Sequence, residues 1–233
     1  MAAPAQKAAA GPPRPLLLGH RGARNEAPEN TLAAFDMALE HGCDGFEFDV
    51  RRTADGKAII GHDARIAGVE VARANYVEIL QRVRRTEEQP PLLEDLLERY
   101  ASSAFLDIEI KVAGLEDEVL EALRRYPPRR GFVVSSFLAD VLKDFRARSA
   151  RVPLGLICDT RKELVRWPRL PIEYIIPHRK LLTYKLIEEA QASGKKILVW
   201  TVNSKREMLR FAKAGVDGII SDDTQRLART LHA

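Results

Sequence analysis

Apolar and acidic residues alternate along Gly45-Phe46-Glu47-Phe48-Asp49-Val50, with the two-residue period of a β-strand. Phe46, Phe48 and Val50 fall on one face, Glu47 and Asp49 on the other. The apolar face can pack against helices. The acidic face must meet water, cations or a metal, because an ionised carboxylate in an apolar interior costs on the order of several kcal/mol. Arg51-Arg52-Thr53 follows, then Ala54-Asp55-Gly56-Lys57, the apolar run Ala58-Ile59-Ile60, and Gly61-His62-Asp63. Asp-Gly between two strand-like runs signals a hairpin. With Asp55 and Gly56 as the two turn residues, Ala54 pairs with Lys57 and Asp49 lies opposite His62; a three-residue turn shifts this register by one. Directly opposed residues touch, so the pattern sets an imidazole beside two acids.

The same reading extends along the chain. Leu16-Leu17-Leu18-Gly19-His20 is a short buried strand with polar residues at its end. Arg21 to Glu29 forms a loop, and Asn30 can cap a helix carrying Leu32, Phe35 and Leu39 that Gly42 stops. Residues 64–86 are the least legible, although Asn75 with Glu78 marks a helix start continued by Ile79, Leu80 and Val83. Pro90-Pro91 opens a helix with Leu92, Leu93, Leu96, Leu97 and Tyr100. From Phe105 onward strand and helix alternate. Strands are expected at 105–111, 131–137, 152–158, 172–177, 196–202 and 216–221, and a capping box at Ser204 and Glu207 begins the helix that Gly215 closes. Such alternation predicts parallel strands with right-handed crossovers. Nine strand-like runs are present. The run at 57–62 is the returning arm of the hairpin, and the remaining eight predict a (β/α)8 TIM barrel with a β-hairpin insertion after the second strand. A doubly wound open sheet is the alternative, but no G-x-G-x-x-G follows the first strand. Residues 16–233 are read as one barrel domain and 1–15, rich in Ala and Pro, as a disordered tail.

Composition narrows the function. The 233 residues are 45% hydrophobic, enough for a sizeable core, and the net charge of +4 comes from arginine pairs scattered among acids. No basic run with interleaved aromatics suggests nucleic-acid binding. No stretch approaches the ~18 apolar residues of a membrane span, so stable membrane insertion is not expected. The two cysteines, Cys43 and Cys158, sit in apolar strand-like settings, as core thiols of a reducing, cytoplasmic compartment would. The sequence says nothing of oligomeric state.

In a TIM barrel the functional residues lie at the C-terminal strand ends. His20 is there on the first strand, and Glu47 with Asp49 on the second. On the third, Asp107, Glu109 and Lys111 share one face while Ile108 and Ile110 face the helices. Glu47, Asp49 and Glu109 thus converge on one mouth, and three hard oxygen donors without a soft ligand suit Mg²⁺ or Ca²⁺ better than zinc. Arg21, Lys111, His20 and His62 bring cationic and proton-carrying groups to the same place. Such a set fits a phosphate ester, whose oxygens need neutralising and whose bonds need protons moved. Trp200 is either a wall of this mouth or core filling; Ser135 and Asn203 are further candidates to line it.

These residues carry a resemblance. His20-Arg21-Gly22, Pro28-Glu29-Asn30-Thr31, Glu47-x-Asp49, His62-Asp63, Ile108-Glu109-Ile110-Lys111 and Trp200-Thr201-Val202-Asn203 occur in that order, and from about Leu18 to Asp222 the chain resembles the glycerophosphodiester phosphodiesterase family. The resemblance implies a barrel that hydrolyses glycerophosphodiesters, such as glycerophosphocholine or glycerophosphoethanolamine, to glycerol 3-phosphate and an alcohol. It implies Glu47, Asp49 and Glu109 as ligands of one divalent cation, Mg²⁺ or Ca²⁺, and His20 and His62 as the general acid/base pair. Arg21 and Lys111 would hold phosphate, Trp200 would wall the glycerol pocket, and Pro28 to Thr31 would be structural, with Asn30 as the helix cap. The chain departs from the family at 64–74, which is short and lacks the usual Thr/Gly-rich cap, at Leu93 where a Thr is common, and at Asp223 where a Pro is common. Two other readings accompany this one: a lysophospholipase-D-like enzyme whose open mouth admits lipid esters, and a non-catalytic anion-binding barrel, which the complete set of acids and histidines disfavours.

Overall fold

In the computed structural model, which describes residues 14–83 and 89–232, the first and last strands meet. In chain order the strands are β1 (Leu16–His20), β2 (Gly45–Arg52), β3 (Ala58–Ile60), β4 (Arg65–Ile66), β5 (Val69–Glu70), β6 (Phe105–Ile110), β7 (Phe132–Ser136), β8 (Leu154–Cys158), β9 (Tyr174–Pro177), β10 (Lys196–Val199) and β11 (Gly218–Ser221). The sheet runs β1-β11-β10-β9-β8-β7-β6-β2-β3, and β1 also pairs with β2. Eight parallel strands therefore close into a ring, and β3 lies antiparallel on β2. The expected TIM barrel with its hairpin insertion is the fold. Most of the tail expected at 1–15 lies outside the described residues. Its last two do not, and Arg14 grips Asp44 with both guanidinium nitrogens at 2.6 and 2.9 Å.

Helices α1 (Leu32–Glu40), α2 (Tyr76–Arg82), α3 (Leu93–Tyr100), α4 (Glu116–Arg125), α5 (Ala139–Arg148), α6 (Arg161–Leu164), α7 (Tyr184–Ala192), α8 (Lys205–Ala214) and α9 (Thr224–Leu231) accompany the barrel. The outward residues of β2 are fully buried under α1 and α3: Phe35 stacks on Phe46 at 4.3 Å between ring centroids, and Tyr100 meets Phe46 edge-on at 5.1 Å. A separate apolar cluster that includes Leu18, Val133, Ile157, Ile176, Leu198 and Ile220 fills the barrel interior. Gly45 is required where β2 meets β6, since a Cβ there would stand 1.8 Å from the Phe105 carbonyl oxygen.

Two local expectations change. In the hairpin Val50 faces Ile60 and Arg52 faces Ala58, one residue away from the register of a two-residue turn. Thr53 is the cause. Its hydroxyl accepts the Lys57 N–H at 2.8 Å and donates to Asp55 at 2.7 Å, while its own N–H donates to the Lys57 carbonyl at 3.0 Å. Side-chain bonds to nearby backbone compete with ladder pairing, and the turn widens to Ala54-Asp55-Gly56, with Gly56 at φ 82°. Gly61, not His62, lies opposite Asp49 and donates its N–H to the Asp49 carbonyl at 2.9 Å. At α1 the cap is Thr31, not Asn30: the Thr31 hydroxyl accepts the Ala34 N–H at 3.2 Å. The segment that was least legible folds as the β4–β5 ribbon, a 3-10 turn at Val71–Arg73 and α2. Ile59, Val71, Ala74 and Ile79 give it a small core of its own.

Candidate active site at the barrel mouth

Strand parity turns Glu47 and Asp49 of β2 inward, and the parallel register sets Asp49 beside Glu109 and Glu47 beside Asp107 on β6. All four carboxylates are buried, Asp49 and Asp107 completely. Glu47, Asp49 and Glu109 each offer an oxygen within 4.8 Å of the others. Two cations answer them. Lys111 Nζ lies 2.6 Å from Glu109 and 3.3 Å from Asp49. Arg21 Nε lies 3.2 Å from Asp49, while its terminal nitrogen binds Glu29 at 2.7 Å. Four acids against two cations leave an excess of buried negative charge. Burial pushes the Glu47 carboxyl well above its ordinary range, and the charges of Asp49, Glu109 and Asp107 add to this. Burial and Asp49 push Glu109 up to about 7 against the pull of Lys111. Burial likewise takes Asp107 to about 7, although Ser135 donates to it at 2.6 Å. Asp49 goes the other way: burial raises it, but Lys111, Arg21 and Asn30 outweigh burial and hold it below its ordinary value.

Glu47 Oε1 is buried without a hydrogen-bond partner, and Asp49 Oδ1 has none beyond the Lys111 ammonium 3.3 Å away. A buried acceptor left unpaired costs about 1–3 kcal/mol, more when charged. A hard divalent cation among the three carboxylates meets both the charge excess and the bare oxygen with the donor atoms it prefers. The residues present therefore fit such an ion.

The surrounding backbone serves these acids. Arg21 has φ 56° and Asn30 φ 60°, a region non-glycine residues seldom adopt. The Arg21 turn points its N–H at Glu47 Oε2, 3.0 Å away. Asn30 makes a two-point contact with Asp49, donating from Nδ2 at 2.9 Å and accepting the Asp49 N–H at 3.2 Å. Sequence reasoning assigned Asn30 to the helix cap and missed this role.

His20 sits 2.7 Å from Asp222 through Nδ1, and its Nε2 is 3.9 Å from Glu47. Burial alone would raise the Asp222 carboxyl, but His20 and Asn203 hold it below the usual range, so it is an acceptor and Nδ1 carries the proton. Nε2 is then the free nitrogen on the cavity side. Asn203 does not itself line the cavity; it donates to Asp222 at 2.6 Å and accepts the Asp222 N–H at 2.9 Å. Asp222 was another residue missed. The signal was available, since β1 and the last strand are neighbours in any closed barrel. His62 bonds Asp63 through Nδ1 at 2.8 Å and is the more exposed of the two histidines.

The cavity has a polar wall of His20, Arg21, Glu47, His62, Asp107, Glu109 and Lys111. Its opposite wall is Phe137, Ile157, Ile176, Trp200 and Ile220. Trp200 thus faces the cavity, fixed by its indole N–H donating to the Ile176 carbonyl at 2.9 Å and by edge contacts with Phe137 and His178. Seven of the eight expected site residues line this space, and the eighth, Asp49, lies sealed within the acid cluster.

Carboxylates, a guanidinium, an ammonium and two imidazoles around the mouth of a (β/α)8 barrel are the groups that hydrolysis of a phosphate ester calls on, and the class they point to is a phosphodiesterase. More narrowly, the chain belongs to the glycerophosphoryl diester phosphodiesterase family, which it matches over residues 20–226. It is 30% identical to a glycerophosphodiester phosphodiesterase of Caldanaerobacter subterraneus subsp. tengcongensis, over 91% of this chain and 96% of the relative. A crystal structure of a putative glycerophosphoryl diester phosphodiesterase from Silicibacter pomeroyi superposes with a TM-score of 0.82 at 26% identity, covering 94% of each chain. An Oleispira antarctica phosphodiesterase in complex with the product sn-glycerol-3-phosphate shares the fold at a TM-score of 0.81 and 24% identity, over 94% of this chain and 98% of that one.

Proposed function

We propose that the chain hydrolyses glycerophosphodiesters, such as glycerophosphocholine or glycerophosphoethanolamine, to glycerol 3-phosphate and an alcohol with the help of one divalent cation, Mg²⁺ or Ca²⁺. The observation that carries this reading is the trio of buried carboxylates, with Glu47 Oε1 meeting no donor, set beside the His20–Asp222 pair. Glu47, Asp49 and Glu109 would hold the ion, which bound there would polarise a phosphoryl oxygen. Arg21 and Lys111 stand at the same mouth and place positive charge where negative charge builds on the non-bridging oxygens. Lys111, 2.6 Å from Glu109 and 3.3 Å from Asp49, would meet the phosphate from beside the carboxylates that would hold the ion. His20 exchanges a proton through Nε2, and the negative charge of Asp222 supports the imidazolium that forms. His62, across the mouth, handles the second proton. The Phe137–Trp200 wall gives the glycerol carbons an apolar surface.

The test is turnover of glycerophosphocholine and glycerophosphoethanolamine with Mg²⁺ or Ca²⁺ and with EDTA. The reading expects activity that EDTA removes and either ion restores; turnover undiminished by EDTA rejects it. ³¹P NMR during turnover separates attack by water from attack by the neighbouring glycerol hydroxyl, which passes through a cyclic phosphate.

A further inference from the structure

A second feature of the mouth plays no part in the chemistry above. Residues 159–185 contain seven Lys or Arg against three Asp or Glu, an excess as large as the +4 of the whole chain. Two of those acids are already engaged. Glu163 accepts the Asp159 and Thr160 N–H groups at 3.1 Å each, and Glu173 takes Arg146 on both oxygens at 2.7 and 2.8 Å. Arg161, Lys162, Arg166, Arg169 and Lys180 are exposed and have no ion pair or side-chain hydrogen bond among the described residues. Of these, Arg161 and Lys180 line a groove, together with the Lys185–Glu189 pair, whose apolar floor includes Leu164, Trp167, Leu181 and Leu186.

Apolar side chains stand out in the same sector. Among the described residues five large hydrophobics are exposed, and three of them are Leu138 at 45%, Val165 at 70% and Tyr184 at 64%. All three follow the C-terminal ends of consecutive strands, β7, β8 and β9, the end at which the cavity opens. Phe137, Ile157, Ile176 and Trp200, the apolar wall of the cavity, come from this sector too.

We infer that this rim docks on an anionic phospholipid bilayer and holds the cavity against the headgroup layer. Unpaired Lys and Arg side chains are drawn to anionic lipid, and neighbouring apolar side chains can enter the boundary between headgroups and acyl chains. Nucleic acid would meet the same charges but offers Leu138 and Val165 nothing to bury against. The inference does not depend on the catalytic reading, because what decides it is partition onto vesicles and turnover serves only as a control.

The experiment is co-sedimentation of the full chain with vesicles of phosphatidylcholine alone and of phosphatidylcholine mixed with phosphatidylglycerol, at low and high salt. The protein is expected to pellet with the mixed vesicles only and to be released by salt. Arg161→Gln and Lys180→Gln each lower the partition about fivefold, and Val165→Asp lowers it further. Arg124→Gln and Arg125→Gln, at the far end of α4 and away from the mouth, leave it unchanged. Thermal melts and turnover of soluble glycerophosphocholine stay at the wild-type value in all five variants, so a loss of binding reports the surface and not the fold. Absence of pelleting with mixed vesicles at low salt overturns the inference. So does equal pelleting with neutral vesicles, or an equal loss in the α4 variants, which would mean diffuse attraction and no defined face.

Discussion

Glu47→Gln tests whether the buried acids exist to hold an ion. Glu47 is 4% exposed, its Oε2 accepts the Arg21 N–H at 3.0 Å, and its Oε1 meets no donor. Glutamine can keep the Arg21 contact through its carbonyl oxygen and turn its amide N–H₂ toward the neighbouring carboxylates. An acid that burial and its neighbours hold well above its ordinary range is then replaced by a neutral amide without loss of volume, a relief on the order of 1–2 kcal/mol. For a chain of 233 residues this corresponds to a melting temperature about 2–8 °C above wild type in EDTA. The cation response changes in the opposite sense. At one hundred times Kd the wild type gains about 2.7 kcal/mol, or about 5–11 °C. A variant that binds the ion a hundredfold more weakly gains about 0.4 kcal/mol at the same concentration, about 1–2 °C. Calorimetric melts in EDTA and then in Mg²⁺ or Ca²⁺ read both effects. If the variant melts below wild type in EDTA, Glu47 is a net stabilising partner of Arg21. If the cation shifts both proteins equally, the trio is not the binding site. Either result refutes the reasoning.

Asp222→Asn preserves shape but removes the acceptor that holds the proton on His20 Nδ1; turnover is expected to fall by about 10²-fold or more, with glycerophosphodiester KM little changed, as a kcat and KM comparison will show. Thr31→Ala removes the cap of α1 and should cost about 1 kcal/mol in a denaturant melt without altering cation affinity. Asn30→Ala should do the reverse, weakening cation binding about 10–100-fold through the loss of its grip on Asp49, measured by calorimetric titration. Asp44 is a carboxylate whose burial alone would raise it, yet Arg14 and the Leu17 N–H hold it below its ordinary value. Its contribution to stability is therefore present above the unfolded carboxylate pKa of about 4 and is lost as pH falls through the lower folded value; Asp44→Asn should flatten that acid limb of a stability–pH profile.

Much of this was legible before any coordinates. The alternation in β2 and β6 forced acids inward in both strands, and parallel neighbours with the same parity necessarily bring those acids together. The eight-strand count was sound because each barrel strand is a short apolar run bounded by turn residues. The misreadings have a common physical origin, which is side chains that bond to backbone. Thr53 widened a turn that Asp-Gly alone would have made tight. At the start of α1 two tandem residues, Asn30 and Thr31, could each cap the helix, and only the tertiary position of Asp49 decides which one is free. Asp222 needed ring closure to be seen, since its partner His20 is 202 residues away. The segment after His62 resisted because its small core of Ile59, Val71, Ala74 and Ile79 joins several short pieces, none long enough to show a period.

That closure bears on how the protein comes into being. Residues near the N-terminus emerge first during synthesis, so β1 and β2 leave the ribosome long before β11 exists to flank β1. Until Asp222 arrives, His20 lacks the carboxylate that meets its Nδ1, and β1 lacks the strand that covers its outer edge. A nascent chain is thus inert toward diesters yet at its most sticky, and both conditions end together when the final strand slots in.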